Sequence, residues 1–312
     1  MKHLKKKRRQ KHSFSDTAFD ICNYLILILI LITTAYPILY VISASVSDPT
    51  AVSTGKMILL PVDPSLDGYR YILGYQEIWQ GYLNTIIYTL FGTLFNLFLT
   101  IPAAYALSRR DLIGRNGIMI LFLITMYFSG GLIACFLNIK SFGLLNTRLV
   151  LIINGGISTY NLIVARTFFA NTIPWELHEA GVLDGCTNFR LFSDIVLPLS
   201  KPILAVMCLY YGINHWNSYF NAMLYLPDAK ARKFFPLQLY LREILMQGKF
   251  TEAMIAEGLS DDGMIDILLK QAETVNMIKY GVIIVAMIPV IIVYPFLQRF
   301  FVKGVMIGSI KG

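Results

Sequence analysis

The chain has 312 residues, of which 56% are hydrophobic and only 15% charged, with a formal net charge of +8. That balance, with its positive mean hydropathy, excludes an ordinary soluble domain and asks for a bilayer. Six apolar runs, at 21–42, 83–107, 118–139, 149–170, 203–226 and 280–302, each reach about 20 residues, the length needed to cross about 30 Å of hydrocarbon. An open sheet would leave backbone groups unpaired in lipid, so the spans are predicted to be helices. None shows the alternation of a membrane barrel. The expected fold is an all-α polytopic membrane protein whose transmembrane domain covers 21–302.

The segment 1–20 opens the chain with Lys2, Lys5, Lys6, Lys7, Arg8, Arg9 and Lys11. Lys and Arg accumulate on the cytoplasmic side, so the amino terminus is predicted to lie there. Topology accounts for this charge without nucleic acid, for which no role is expected; contact with membrane lipid is. Ser43-Ala44-Ser45 resembles a cleavage site, but the preceding apolar core is too long for a signal peptide and is read as a retained span. Six spans then return the tail, 303–312, to the cytoplasm. They place Arg109, Arg110, Arg115 and the segment 171–201 on that side. In the fourth span Asn154, Gly155, Gly156, Ser158, Tyr160 and Asn161 interrupt the apolar run, which predicts an opened or kinked helix facing a polar path. Arg166, near the end of that span, is expected to snorkel.

Residues 172–198 read as a helical hairpin. Thr172 suits an N-cap, Pro174 a first turn, and Gly185 the left-handed residue that stops a helix over 173–183. Leu177, Ala180, Gly181 and Asp184 share one face by their spacing, and the small residues at its centre permit close approach of another surface. A second helix is predicted over 188–196. It should end at Leu197-Pro198, because a residue before proline resists helical geometry.

Polar groups concentrate in the fifth span. Tyr210, Asn214, Asn217 or Ser218, and Asn221 recur at helical spacing, with His215 and Trp216 beside them. Buried polar groups face another helix or an aqueous path. A sugar would suit the stripe through amides, hydroxyls and ring faces; hydrogen bonds to neighbouring helices would suit it equally. The loop 227–279 is long, with helical spacing over 237–246 and 264–277, and reads as an extracytoplasmic cap. Asp261, Asp262 and Asp266 fit no calcium loop. Cys22, Cys135, Cys186 and Cys208 are scattered, the four histidines form no metal motif, and no phosphate-binding glycine loop occurs. The chain is therefore not expected to be an enzyme or to bind a metal or cofactor.

Glu179-Ala180-Gly181, Gly185 and Ile195-Val196-Leu197-Pro198 resemble the E-A-A-x3-G-x9-I-x-L-P signature of binding-protein-dependent ABC importer permeases, the MetI-like superfamily. Gly181 replaces the second alanine, and Cys186 stands where a small residue, usually alanine, follows the glycine. The resemblance implies an ATPase-coupling segment between the fourth and fifth spans: Glu179 meeting a groove on the ATPase, Asp184 and Gly185 setting the turn, Ala180, Gly181, Leu197 and Pro198 completing the motif. It extends through Leu60-Pro61, Asn84-Thr85, Ala103 to Arg109, and Trp216-Asn217, which recur in the carbohydrate-uptake branch. Phe128-Ser129-Gly130-Gly131, Pro236-Leu237-Gln238 with Leu241-Arg242, and Val302-Lys303-Gly304 resemble the LplC/YtcP-like subgroup, linked to oligosaccharides from polysaccharide breakdown. The implied partners are a second, paralogous permease, an ABC ATPase dimer holding ATP and magnesium, and an extracytoplasmic solute-binding lipoprotein. An ion-coupled secondary transporter is the alternative; such carriers place acidic relays in the membrane, and the six predicted spans contain no Asp or Glu.

Overall fold

A computed structural model of the chain describes residues 14–256 and 274–295, and helices are the only regular structure among them. The first, α1 (Phe14–Ser45), contains Pro37 and turns almost all of its apolar side chains away from the rest of the chain. Short helices α2 (Pro49–Ser53) and α3 (Asp67–Gly74) lead to α4 (Gln76–Ser108). Asp48 caps α2, accepting from the Ala51 N–H at 2.9 Å with Pro49 in the first turn, which satisfies an otherwise orphaned donor.

The predicted third span is broken. Instead of one rod over 118–139 there are α5 (Arg115–Tyr127) and α6 (Gly131–Ser141), bent by 112°. Gly131 has φ +80, a conformation that side chains with a β-carbon resist, and it redirects the chain. The fourth span opens as its polar residues suggest, into α7 (Arg148–Ile153) and α8 (Thr159–Thr172), with Gly155 left-handed between them at φ +74. Then come α9 (Trp175–Leu183), α10 (Asn188–Arg190), a π turn over Leu191–Val196, α11 (Leu197–Leu199) and α12 (Lys201–Trp216). The expected fifth span, 203–226, is likewise interrupted after Trp216 and resumes as α13 (Phe220–Tyr225). A 3-10 turn, Ala229–Phe234, leads into α14 (Leu237–Ala256), and the last described helix is α15 (Thr274–Pro295). The expectations for 1–13, for 296–312 and for Asp261, Asp262 and Asp266 concern residues outside those described, as does most of the expected helix at 264–277.

Among the described residues Asp16–Ser45, Gln76–Ser108 and Thr274–Pro295 are each long and apolar enough to cross a membrane. Two bent pairs pass the same test jointly: α5 with α6, and Asn188–Leu199 with α12, which meet at 81°.

α4 is the central element, packed against α7, α8, α12 and α14. Its amphipathicity is inverted: it exposes Leu83, Ile86, Leu90, Leu94 and Phe98 while burying Asn84, Thr85, Gly92, Asn96, Thr100 and Ala104. In lipid, burial of hydrocarbon gives little drive to helix association, so small residues and interhelical hydrogen bonds supply it. At one end Ile101, Ala104 and Leu107 pack with Leu162, Phe169 and Met207. At the other, Ile78 joins Leu237, Leu241 and Val282, and Tyr88 joins Val150 and Tyr225.

Candidate functional site

Every fourth residue along one ridge of α4 meets a neighbouring element. The Asn84 side-chain amide donates to the carbonyls of Lys233 and Phe235, both at 2.9 Å, and its oxygen accepts from Arg148 at 2.9 Å. The Tyr88 hydroxyl donates to the Phe234 carbonyl at 2.7 Å. Gly92 admits the ring of His215: a β-carbon there would lie 2.4 Å from Cε1. Asn96 donates to the carbonyls of Gly155 and Gly156, at 3.1 and 2.9 Å, and its oxygen lies 2.7 Å from His215 Nε2. Thr100 meets the Tyr211 hydroxyl at 2.7 Å, and that hydroxyl accepts from the Ser158 N–H. Below the ridge, Arg166 donates to the Leu107 carbonyl at 3.0 Å, tying α8 to α4.

This ladder divides the polar stripe of the fifth span. His215 and Trp216 are buried; the Trp216 indole donates to the Ala286 carbonyl of α15 at 3.2 Å. Tyr210 and Asn214 occupy the other face. They converge with Asn161, Gly155, Ser158, Tyr160 and Tyr211 on an open cleft of about 430 Å³ beside the opened fourth span. Asn154 lies away from it, next to Tyr225. Asn217 folds back to the Ile213 carbonyl at 3.0 Å, Ser218 donates its N–H to the His215 carbonyl, and Asn221 lies on α13 past the break. Asn84, Asn96 and Arg148 were not singled out by the stripe in α12, although the cost of polar groups in a span marks the two asparagines equally well.

The hairpin sits at the far end of α4. Thr172 closes α8 and does not cap α9; Pro174 occupies the N-cap position instead. Gly185, at φ +75, ends α9: the Cys186 N–H reaches the Gly181 carbonyl and the Gly185 N–H reaches Val182, the paired bonds of a Schellman stop. Gly181 is buried, with Leu191 of the same chain as its close neighbour, where a β-carbon would lie 2.5 Å from Cδ1. The predicted face is therefore split. Ala180 and Asp184 remain exposed with Glu179, Gly185 and Pro198. Leu183 is 88% exposed and Phe189 79%. Leu197 stays helical before Pro198, with φ −61 and ψ −44. Its N–H bonds five residues back to Phe192, and this wider turn carries the chain past the proline to Leu199.

Arg109 fastens this hairpin to the end of α4. Its Nη1 donates to Asn188 Oδ1 at 2.8 Å, Nη2 lies 3.1 Å from His178 Nε2, and Nε donates to Asp111 at 2.8 Å. The guanidinium holds the Asp111 carboxyl below the usual carboxylate range, and the same hydrogen bond raises the pKa of Arg109. Among the described residues no three His, Cys, Asp or Glu side chains gather to hold a metal.

Residues 78–307 match the family of binding-protein-dependent transport system inner membrane components. The chain is 40% identical to the polygalacturonan/rhamnogalacturonan transport system permease protein YtcP of Bacillus subtilis, over 94% of this chain and 98% of that protein. It is 36% identical to protein LplC of the same organism, over 94% and 95%. A solved chain from a bacterial ABC transporter involved in import of the acidic polysaccharide alginate superposes with a TM-score of 0.79 at 34% identity, covering 93% of this chain and 99% of that one. These are transport subunits rather than enzymes, and the family implies a multi-pass membrane component working with a partner permease, an ATPase and a solute-binding protein. The chain belongs to the binding-protein-dependent, MetI-like family of ABC importer permeases.

Proposed function

We propose that the chain is one of two paralogous permease subunits of an importer that takes up carbohydrate, in particular oligosaccharide from polysaccharide breakdown. It crosses the membrane six times with both termini in the cytoplasm. ATP and magnesium are held by a separate ATPase dimer, and a solute-binding lipoprotein delivers the sugar. The names of the similar permeases and the alginate importer support the substrate class.

The observation that carries the mechanism is the hairpin of α9 to α11, locked to α4 through Arg109 while presenting Glu179, Leu183 and Phe189 outward. Closure of the ATPase dimer presses this exposed surface, and α4 relays the movement to the cleft lined by Tyr210, Asn214 and Asn161. Glu179→Arg should reduce uptake by the complete importer by more than about tenfold, equivalent to ~1.4 kcal/mol in a rate barrier, while membrane insertion is unchanged. Radiolabelled sugar uptake and membrane fractionation check this. Normal uptake by that variant overturns the coupling role.

A further inference from the structure

Where α12, α14 and α15 meet, at the end of α4 that carries Asn84, they enclose an open cleft of about 710 Å³, a volume suited to a small ligand. Tyr219 contributes ring surface beside the buried Trp216, Asn217 and Gln238 contribute amides, and Arg242 and Lys279 contribute two positive charges. Among the described residues no carboxylate lines the cleft. Among the described residues neither cation forms an ion pair, whereas nearby Arg232 is held between Glu77 and Glu243. The Arg242 guanidinium lies 5.7 Å over the Tyr219 ring, a stacking contact that restrains it without engaging its N–H donors.

A pair of cations with no ion-pair partner among the described residues, beside amides and a ring face, complements a sugar acid. The guanidinium can take a carboxylate through two parallel hydrogen bonds. The ammonium supplies a second charge, the amides meet hydroxyls, and Tyr219 offers a surface for the apolar side of a pyranose. A neutral sugar would leave both charges uncompensated in a partly desolvated site. We propose that this cleft binds the carboxylate of a uronate-bearing oligosaccharide on its way into the importer. The proposal rests on the carbohydrate reading above and narrows it. A lipid phosphate offers the same anionic oxygens, but the amides and rings add recognition suited to a saccharide.

The test uses the complete importer in phosphatidylcholine vesicles, with trigalacturonate and its methyl ester as probes. R242Q combined with K279Q should raise the uptake KM for the acid about tenfold and leave that for the ester unchanged, and R242K, which keeps the charge and loses the paired donors, should fall between the parent and the double variant. Size-exclusion elution of the assembled complex verifies that the variants fold. An equal effect on acid and ester, or no effect on either, overturns the proposal while the carbohydrate reading stands. So does a defect found in phosphatidylglycerol vesicles and absent in phosphatidylcholine, which would assign the cations to lipid. A wild-type importer that carries neutral oligosaccharides and not the acid also overturns it. One that carries no saccharide at all overturns both readings.

Discussion

The predicted third and fourth spans are both interrupted at a left-handed glycine, yet among the described residues only one interruption is completed by partners. At 154–158 the freed carbonyls of Gly155 and Gly156 are held by Asn96, and the Ser158 N–H is held by Tyr211. At 128–130 no such grip exists among the described residues: Tyr127 and Phe128 are each 77% exposed, and α6 buries none of its residues. Backbone in hydrocarbon needs partners for its polar groups. The fourth span obtains them from α4 and α12, whereas the third meets its surroundings with the break exposed. A glycine pair permits a break; the neighbouring helix decides whether it becomes a fixed part of the fold.

The strongest way to break this contrast is Asn96→Ala. It strands two carbonyls and the buried His215 ring, each at about 1–3 kcal/mol if left unpaired, so thermal unfolding of the purified complex should shift clearly downward. Gly131→Ala imposes a left-handed conformation costing about 1–2 kcal/mol, but at an exposed site free to adjust. Its melting shift should be smaller than that of Asn96→Ala; a larger one would show that the third-span break is also tightly held. Gly181→Ala sharpens the point with a glycine whose neighbour can yield. The added β-carbon meets only the flexible end of Leu191, and alanine gains about 1 kcal/mol of helix propensity, so stability should stay within about 0.5 kcal/mol of the parent.

These outcomes show what the sequence discloses. Three long apolar helices, Asp16–Ser45, Gln76–Ser108 and Thr274–Pro295, stand where hydropathy puts apolar runs, the opening at 154–158 follows from clustered polar residues, and the stop at Gly185 follows from backbone chemistry. The break at Gly130-Gly131 stands openly in the sequence, but an apolar run of sufficient length hides it, because hydropathy measures composition and not direction. The division of the α12 stripe, with His215 and Trp216 inside and Tyr210 and Asn214 on the cleft, depends on which helix lies opposite. Periodicity defines faces without naming their neighbours. Leu197 was misjudged for a local reason: the rule for residues before proline takes an ordinary α turn, and a π turn intervenes. In the hairpin, spacing grouped Gly181 with Ala180 and Asp184, but the second helix folded back and covered Gly181.

The ladder on α4 also orders events in time. Every partner that the ladder grips emerges later in the chain, from 59 residues onward for Asn96 with Gly155 to 151 for Asn84 with Phe235. At synthesis rates of about 5–20 residues per second, Asn96 and Asn84 wait roughly 3 to 30 s in the membrane before these partners exist. α4 therefore enters the bilayer as an unfinished helix with its polar side chains unmatched, and its chance of pairing wrongly is greatest before α7 has been made. Errors in assembling this protein should concentrate in that interval, in the newborn chain rather than in the working transporter.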